Sequence, residues 1–136
     1  VSTLPDVLLI EDDAQEAELI ARALGRGLVV ETLTDGAAAV DRLRVRRPRL
    51  VLLDLKMGGA TGFDVRGSVR RAADLNTLPV VVLTSSSDPR DVERAYQLGA
   101  HGYVVKPIAH SRLAERLSAV TSFWLRTPAP AAGGST

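Results

Sequence analysis

The chain has 136 residues, the length of one domain with room for a sizeable core. With 46% apolar and 24% charged residues it falls among soluble globular chains rather than disordered ones, and a net charge of +1 gives no electrostatic case for nucleic-acid binding. No apolar run approaches the roughly 18 residues of a membrane span. Nor does a charged-then-apolar leader open the chain. Cysteine is absent, which rules out a disulfide framework and thiol chemistry and fits a cytoplasmic chain.

Residues 1–5 read as a short fringe. The first apolar run is "DVLLI" (6–10), followed by a helical stripe at Ala17, Ile20 and Leu24. A second, more mixed run, "LVVETL" (28–33), suits a strand nearer an edge. Asp35 is a plausible cap for the next helix, with Val40 and Leu43 facing inward. The third run is "LVLLD" (50–54), and a helix marked by Phe63, Val69 and Ala73 follows, shortened near Asn76. "PVVVLT" (79–84) leads through Asp88-Pro89, a cap-then-proline start, into a helix striped by Val92, Ala95, Tyr96 and Gly99. "GYVV" (102–105) precedes a last helix lined by Leu113, Leu117, Val120 and Trp124. Three of the runs are almost continuous Val, Leu and Ile, as in strands covered on both faces. The alternation is (βα)5, which right-handed crossovers wind into a three-layer α/β sandwich over residues 6–125. Residues 126–136, rich in Pro, Ala, Gly and Ser, are expected to form a disordered tail.

Doubly wound sheets bind ligands beyond the carboxyl ends of their strands, where the winding reverses. The residues at those ends are Glu11-Asp12-Asp13, Asp54, Thr84-Ser85-Ser86-Ser87 and Lys106-Pro107. If strands 1 and 3 are neighbours, Glu11, Asp12 and Asp54 converge, and their repulsion calls for protons or a cation. Oxygen donors without Cys or a nearby His favour a hard divalent ion, magnesium over calcium. Thr84 and Lys106 suit an anion. Acid, metal, hydroxyl and lysine together describe a phosphoryl site, in which a carboxylate can be the nucleophile. Taken singly, each piece is more often a helix cap or a turn; the four strand ends carry the argument jointly.

Through "LLIEDD", "LVLLDLKM", "VVLTSSSD" and "LGAHGYVVKP", the sequence resembles a response-regulator receiver domain of two-component signalling. The resemblance implies a flavodoxin-like doubly wound parallel sheet of order 2-1-3-4-5. It implies Asp54 as phosphoacceptor from a histidine kinase. Magnesium would be bound by Asp12, Asp54 and the backbone carbonyl of Lys56, and by Glu11 through water. It further implies Lys106 as phosphoryl partner, a cis Lys106–Pro107 bond, Thr84 as switch hydroxyl and Tyr103 as switch aromatic. Such a protein catalyses only its own phosphorylation and dephosphorylation. The face built from helix 4, strand 5 and helix 5 is the one that changes. The chain departs from the family at Gly58, often proline, at Thr61-Gly62, usually Asp-Gly, and at Ser85, often alanine. Lys56 and Ser86 stand where variable residues tune the phosphoryl lifetime.

"SFWLRTP" (122–128) and "EDDAQEAELI" (11–20) resemble the single-domain regulators that pair with cyanobacterial and bacterial phytochromes, which implies a homodimer. Trp124 continues the inward stripe, while Phe123 falls about 100° away around the helix, where an aromatic can anchor an interface. His101 and His110 lack partners at metal-ligand spacing and are expected on the surface. The run "RLRVRRPR" (42–49) reads as a solvated helix end rather than a nucleic-acid site. Two other readings stand beside the phosphoacceptor: a pseudo-receiver adaptor with an idle site, and a flavodoxin-like nucleotide or flavin binder. Against the latter, Glu11-Asp12-Asp13 would repel a phosphate after strand 1.

Overall fold

The computed structural model describes residues 5–25, 27–55, 62–71 and 77–126. Expectations that fall on Lys56, Gly58, Gly59, Thr61, Ala73, Asn76 or the segment after Arg126 lie outside the described residues. Strands β1 (Val7–Ile10), β2 (Val30–Leu33), β3 (Leu50–Leu53), β4 (Val80–Thr84) and β5 (Gly102–Val105) alternate with helices α1 (Ala14–Leu24), α2 (Ala39–Val45), α3 (Gly62–Arg71), α4 (Pro89–Gln97) and α5 (Leu113–Arg126). All four strand pairings are parallel, in the order β2-β1-β3-β4-β5. No helix among the described residues is long and apolar enough to cross a membrane.

The continuous apolar runs become strands buried on both faces. β1, β3 and β4 are buried at every position, whereas β2, the mixed run at the sheet edge, is half-covered. Alternate residues go to opposite sides, as the strand pleat requires. Leu8, Ile10, Val51, Leu53 and Val80 pack with Ala39 and Leu43 of α2 and Val65 and Val69 of α3. Val7, Leu9, Leu50, Leu52, Val81 and Leu83 pack on the other face with α1 and α5. Each fully buried aliphatic side chain contributes about 1.5–3 kcal/mol. These two layers therefore hold the strand ends firmly.

Local signals in the sequence set the helix starts. Asp13 accepts from the amides of Gln15 and Glu16 and caps α1, and Asp88 accepts from the Arg90 amide with Pro89 in the first turn of α4. Asp35 caps a 3-10 turn, Gly36–Ala38, that leads into α2 rather than capping α2 itself. Gly99, with φ of +90°, turns the chain out of α4. In the α4 stripe only Ala95 is buried, and Tyr96 is exposed.

Several polar contacts have no periodic signature. The basic run after α2 is not simply solvated: Arg42 and Arg46 pair with Glu31 of β2. Arg49 bridges Asp6 and the Leu125 carbonyl, and Arg47 donates to Thr77. Arg66 of α3 is buried and donates to the Gly99 carbonyl at 2.6 Å. His101 is exposed, yet its Nδ1 accepts from the Val80 amide at 3.1 Å and its ring meets Trp124 edge-on at 6.0 Å. Burial first, and then the Arg66 charge, hold the His101 imidazole below its ordinary pKa.

Gly62 is closely hemmed in by backbone. Its amide bonds the Leu55 carbonyl at 3.1 Å, and a Cβ there would run into the Asp54 carbonyl oxygen and the Leu55 Cα. Backbone against backbone cannot relax cheaply. Gly62→Ala should therefore cost about 1–3 kcal/mol, visible as a lower urea midpoint in equilibrium unfolding.

Candidate functional site

The strand register assembles the site. Ile10 pairs with Leu53, Leu53 with Val82, and Thr84 with Val105. The residues just past these positions are thus brought to one lip of the sheet. The Asp54 amide bonds the Ile10 carbonyl at 3.1 Å, and the Lys106 amide bonds the Thr84 carbonyl at 2.7 Å. Side-chain direction follows the pleat. Glu11 continues the face of Val7 and Leu9, Asp54 that of Leu52, and Lys106 that of Val104, all toward α1 and α5. Thr84 and Tyr103 continue the opposite face, where Val82, Ala95 and Tyr103 pack together.

Lys106 Nζ lies 3.0 Å from Glu11, 3.3 Å from Glu16 and 3.4 Å from Asp54. Burial opposes its charge, but Asp54, Glu11 and Glu16 outweigh that and hold the ammonium above its ordinary pKa. Glu11 is 2% exposed. Burial, a hydrogen bond with Asp54 and the charge of Asp54 push its carboxyl up to about 7, against the pull of Lys106. Two carboxylates in hydrogen-bond contact need a proton between them or a cation beside them. Asp12, Asp13, Glu16 and Ser85 complete an open depression of about 410 Å³ over this cluster.

Glu16 was not singled out by sequence reasoning. Its signal is modest: it stands three residues after the Asp13 cap, the acidic position of a capping box, and the fold turns its side chain to Lys106.

Among the described residues no three His, Asp or Glu side chains are grouped so as to hold a metal as they stand; the Lys106 ammonium is drawn in among the carboxylates. The donors are nevertheless oxygens only, and buried Glu11 lies in hydrogen-bond contact with Asp54. Those features fit a hard divalent cation.

Thr84 is fully buried, and its Oγ1 accepts from the Ser86 amide at 3.4 Å. Tyr103 donates to the Ser86 carbonyl at 2.9 Å. Burial, together with the carboxylates of Asp91, Asp88 and Asp54, raises the Tyr103 phenol pKa. The implied cis Lys106–Pro107 bond is corrected: the described chain contains no cis peptide bond. A trans X-Pro bond is the ordinary preference by about 0.5–1 kcal/mol, and Lys106 makes all three carboxylate contacts from it. Phe123 is 65% exposed, while Trp124 packs against the α1/α5 core, their rings edge-on at 5.1 Å.

A doubly wound α/β domain with buried acid and lysine at its switch point is a class shared with proteins that handle phosphoryl groups and cations. Within that class, the family described as the response regulator receiver domain matches residues 7–118. The chain belongs to this family and is a receiver domain of two-component signalling.

A probable methanogenesis regulatory protein, FilR2 of Methanothrix harundinacea, is 38% identical over 92% of this chain and 88% of its own length. The DNA-binding response regulator MtrA of Mycobacterium tuberculosis is 38% identical over 83% of this chain, which spans 49% of MtrA. Two solved structures are similar. The phosphorylated cyanobacterial phytochrome response regulator RcpA is 31% identical, with a TM-score of 0.84 and coverage of 93% of this chain and 98% of that one. The Mn2+-bound response regulator Rcp1 is 32% identical, with a TM-score of 0.78 and coverage of 92% and 98%.

The Glu11 shift has a definite sign. A carboxyl whose folded pKa is raised stabilises the fold below its unfolded value near 4.5 and loses that contribution as pH rises through about 7. In the presence of a chelator, Glu11→Gln should therefore gain stability over the parent protein, by roughly 1–3 kcal/mol at pH 8 and far less at pH 5, measured by urea unfolding at both pH values.

Proposed function

We propose that Asp54 accepts a phosphoryl group from the phosphohistidine of a sensor histidine kinase. The observation that carries this reading is the contact of Lys106 with both Asp54 and Glu11 at the lip of the sheet. An Asp54 carboxylate oxygen forms a bond to phosphorus as the phosphorus–nitrogen bond breaks, and the imidazole nitrogen leaves with the electron pair. Lys106, already held charged by its carboxylate partners, pairs with the incoming phosphoryl oxygens. Transfer of this kind depends chiefly on positioning and charge neutralisation. Magnesium would be held by Asp12, Asp54 and the Lys56 carbonyl, with Glu11 reached through water, and would neutralise charge on the phosphoryl group. The manganese in the similar Rcp1 structure supports this cation class.

Phosphorylation adds charge and three acceptor oxygens. Thr84 turns its hydroxyl to one of them, Tyr103 moves into the space released, and the face of α4, β5 and α5 changes shape, a local charge event biasing a bistable element. Residues 6–125 form the working domain in this reading, in the cytoplasm. The RcpA likeness, and that to RPA3017 in red light signaling of R. palustris (28% identical, TM-score 0.79, 93% and 97% covered), supports a phytochrome-type pathway.

The test is direct. With magnesium, beryllofluoride should give bound fluorine resonances in NMR. Chelator or Asp54→Asn should abolish them. Absence of the resonances in the parent protein would displace this reading in favour of a phosphorylation-independent adaptor, and binding that survives Asp54→Asn would remove Asp54 as the acceptor.

The exposed Phe123 ring, backed by Trp124, supports a homodimer through the α4–β5–α5 face. Phe123→Glu should shift the protein to monomer in sedimentation velocity with beryllofluoride present. An unchanged dimer would remove Phe123 from the interface.

A further inference from the structure

Four hydrogen bonds converge on Ser86, which is 6% exposed. Its amide donates to Thr84 Oγ1 at 3.4 Å, and its carbonyl accepts from the Tyr103 hydroxyl at 2.9 Å. Its Oγ donates to Asp91 Oδ2 at 2.5 Å and accepts from the Asp88 amide at 3.3 Å. One residue is therefore bonded to the hydroxyl at the end of β4, to the aromatic ring of β5 and to the first turn of α4.

These bonds divide by origin. The links to Thr84 and Tyr103 use only the Ser86 backbone, so any residue there could make them. The link to α4 needs the hydroxyl. It is charge-assisted, the stronger kind of hydrogen bond. Helix α4 is otherwise lightly held: Ala95, a small side chain, is its only buried residue. When the Thr84 hydroxyl turns to an acceptor on Asp54, it leaves the Ser86 amide and the β4–α4 loop shifts. A loop tied only through its backbone could move alone. A loop fastened to Asp91 takes the start of the helix with it.

We propose that Asp91, acting through the Ser86 hydroxyl, is the positioning residue that passes movement of Thr84 and Tyr103 to helix α4. The proposal rests on the phosphoacceptor reading and adds to it a named mechanical link. Coupling carried by a discrete bonded element is a claim that side-chain deletion can address.

The experiment is hydrogen–deuterium exchange of the full chain, with magnesium, with and without beryllofluoride. In the parent protein beryllofluoride should change exchange of the α4 amides. Asp91→Ala should keep beryllofluoride affinity within about threefold, less than a typical hydrogen bond is worth, and Ser86→Ala and Asp91→Ala, each at saturating beryllofluoride, should lose more than half of the α4 change. Asp91→Asn retains an acceptor oxygen and should retain the response. A purely structural role would alter α4 exchange equally with and without beryllofluoride, leaving the difference intact. A full-sized response in either alanine variant overturns the proposal. So does its loss in Asp91→Asn, which would assign the effect to helix charge, or a more than tenfold loss of affinity in Asp91→Ala. If the parent protein fails to bind beryllofluoride, the phosphoacceptor reading and this link fall together, a result distinct from any variant outcome.

Discussion

Like charges confined in a buried space dominate this molecule. Glu11 and Asp54 are pressed together by strands that are themselves fixed on both faces, so neither carboxylate can relax away. The sheet does not tolerate this pairing at its lip; it enforces it. Lys106 is the answer within the chain, and its raised pKa is the other half of the same electrostatic arrangement. A rigid scaffold that holds repelling groups in place prepares them for a partner that neutralises them, with little reorganisation left to do on binding.

The two faces of the sheet divide the labour. The acid cluster and Lys106 look toward α1 and α5, while Thr84 and Tyr103 look toward α4. The two sides meet at adjacent strand ends, where the Lys106 amide bonds the Thr84 carbonyl. Ser86 sits just past that junction. Aliphatic layers on either side of the sheet are densely packed.

Much of this was legible in the sequence because it rests on short-range rules. Unbroken Val/Leu/Ile runs marked the buried strands, and Asp88 and Pro89 marked a helix start. Glu11, Asp54, Thr84 and Lys106 were legible because strand ends can be counted and the pleat then aims them. What could not be read depends on tertiary reach. Nothing in residues 42–49 shows that Arg42 and Arg46 turn back to Glu31, or that Arg49 reaches the Leu125 carbonyl. Nor does any periodic pattern show that Arg66 of α3 is buried against the turn after α4. Tyr96 matched the helical period but stays exposed, while its stripe neighbour Ala95 is the buried residue of α4. The trans Lys106–Pro107 bond departs from what the resemblance implied.

The contact of His101 with Trp124 lies on a different part of the fold from Asp54. Trp124 is the chain's single tryptophan. It packs where the amino ends of β4 and β5 meet the last turns of α5, opposite the strand ends that carry the acid cluster. The protein thus carries one indole probe, placed at a distance from its chemistry. Emission that responded to an event at Asp54 would be reporting on transmission along the length of the sheet, and a silent probe would mark how far the disturbance travels.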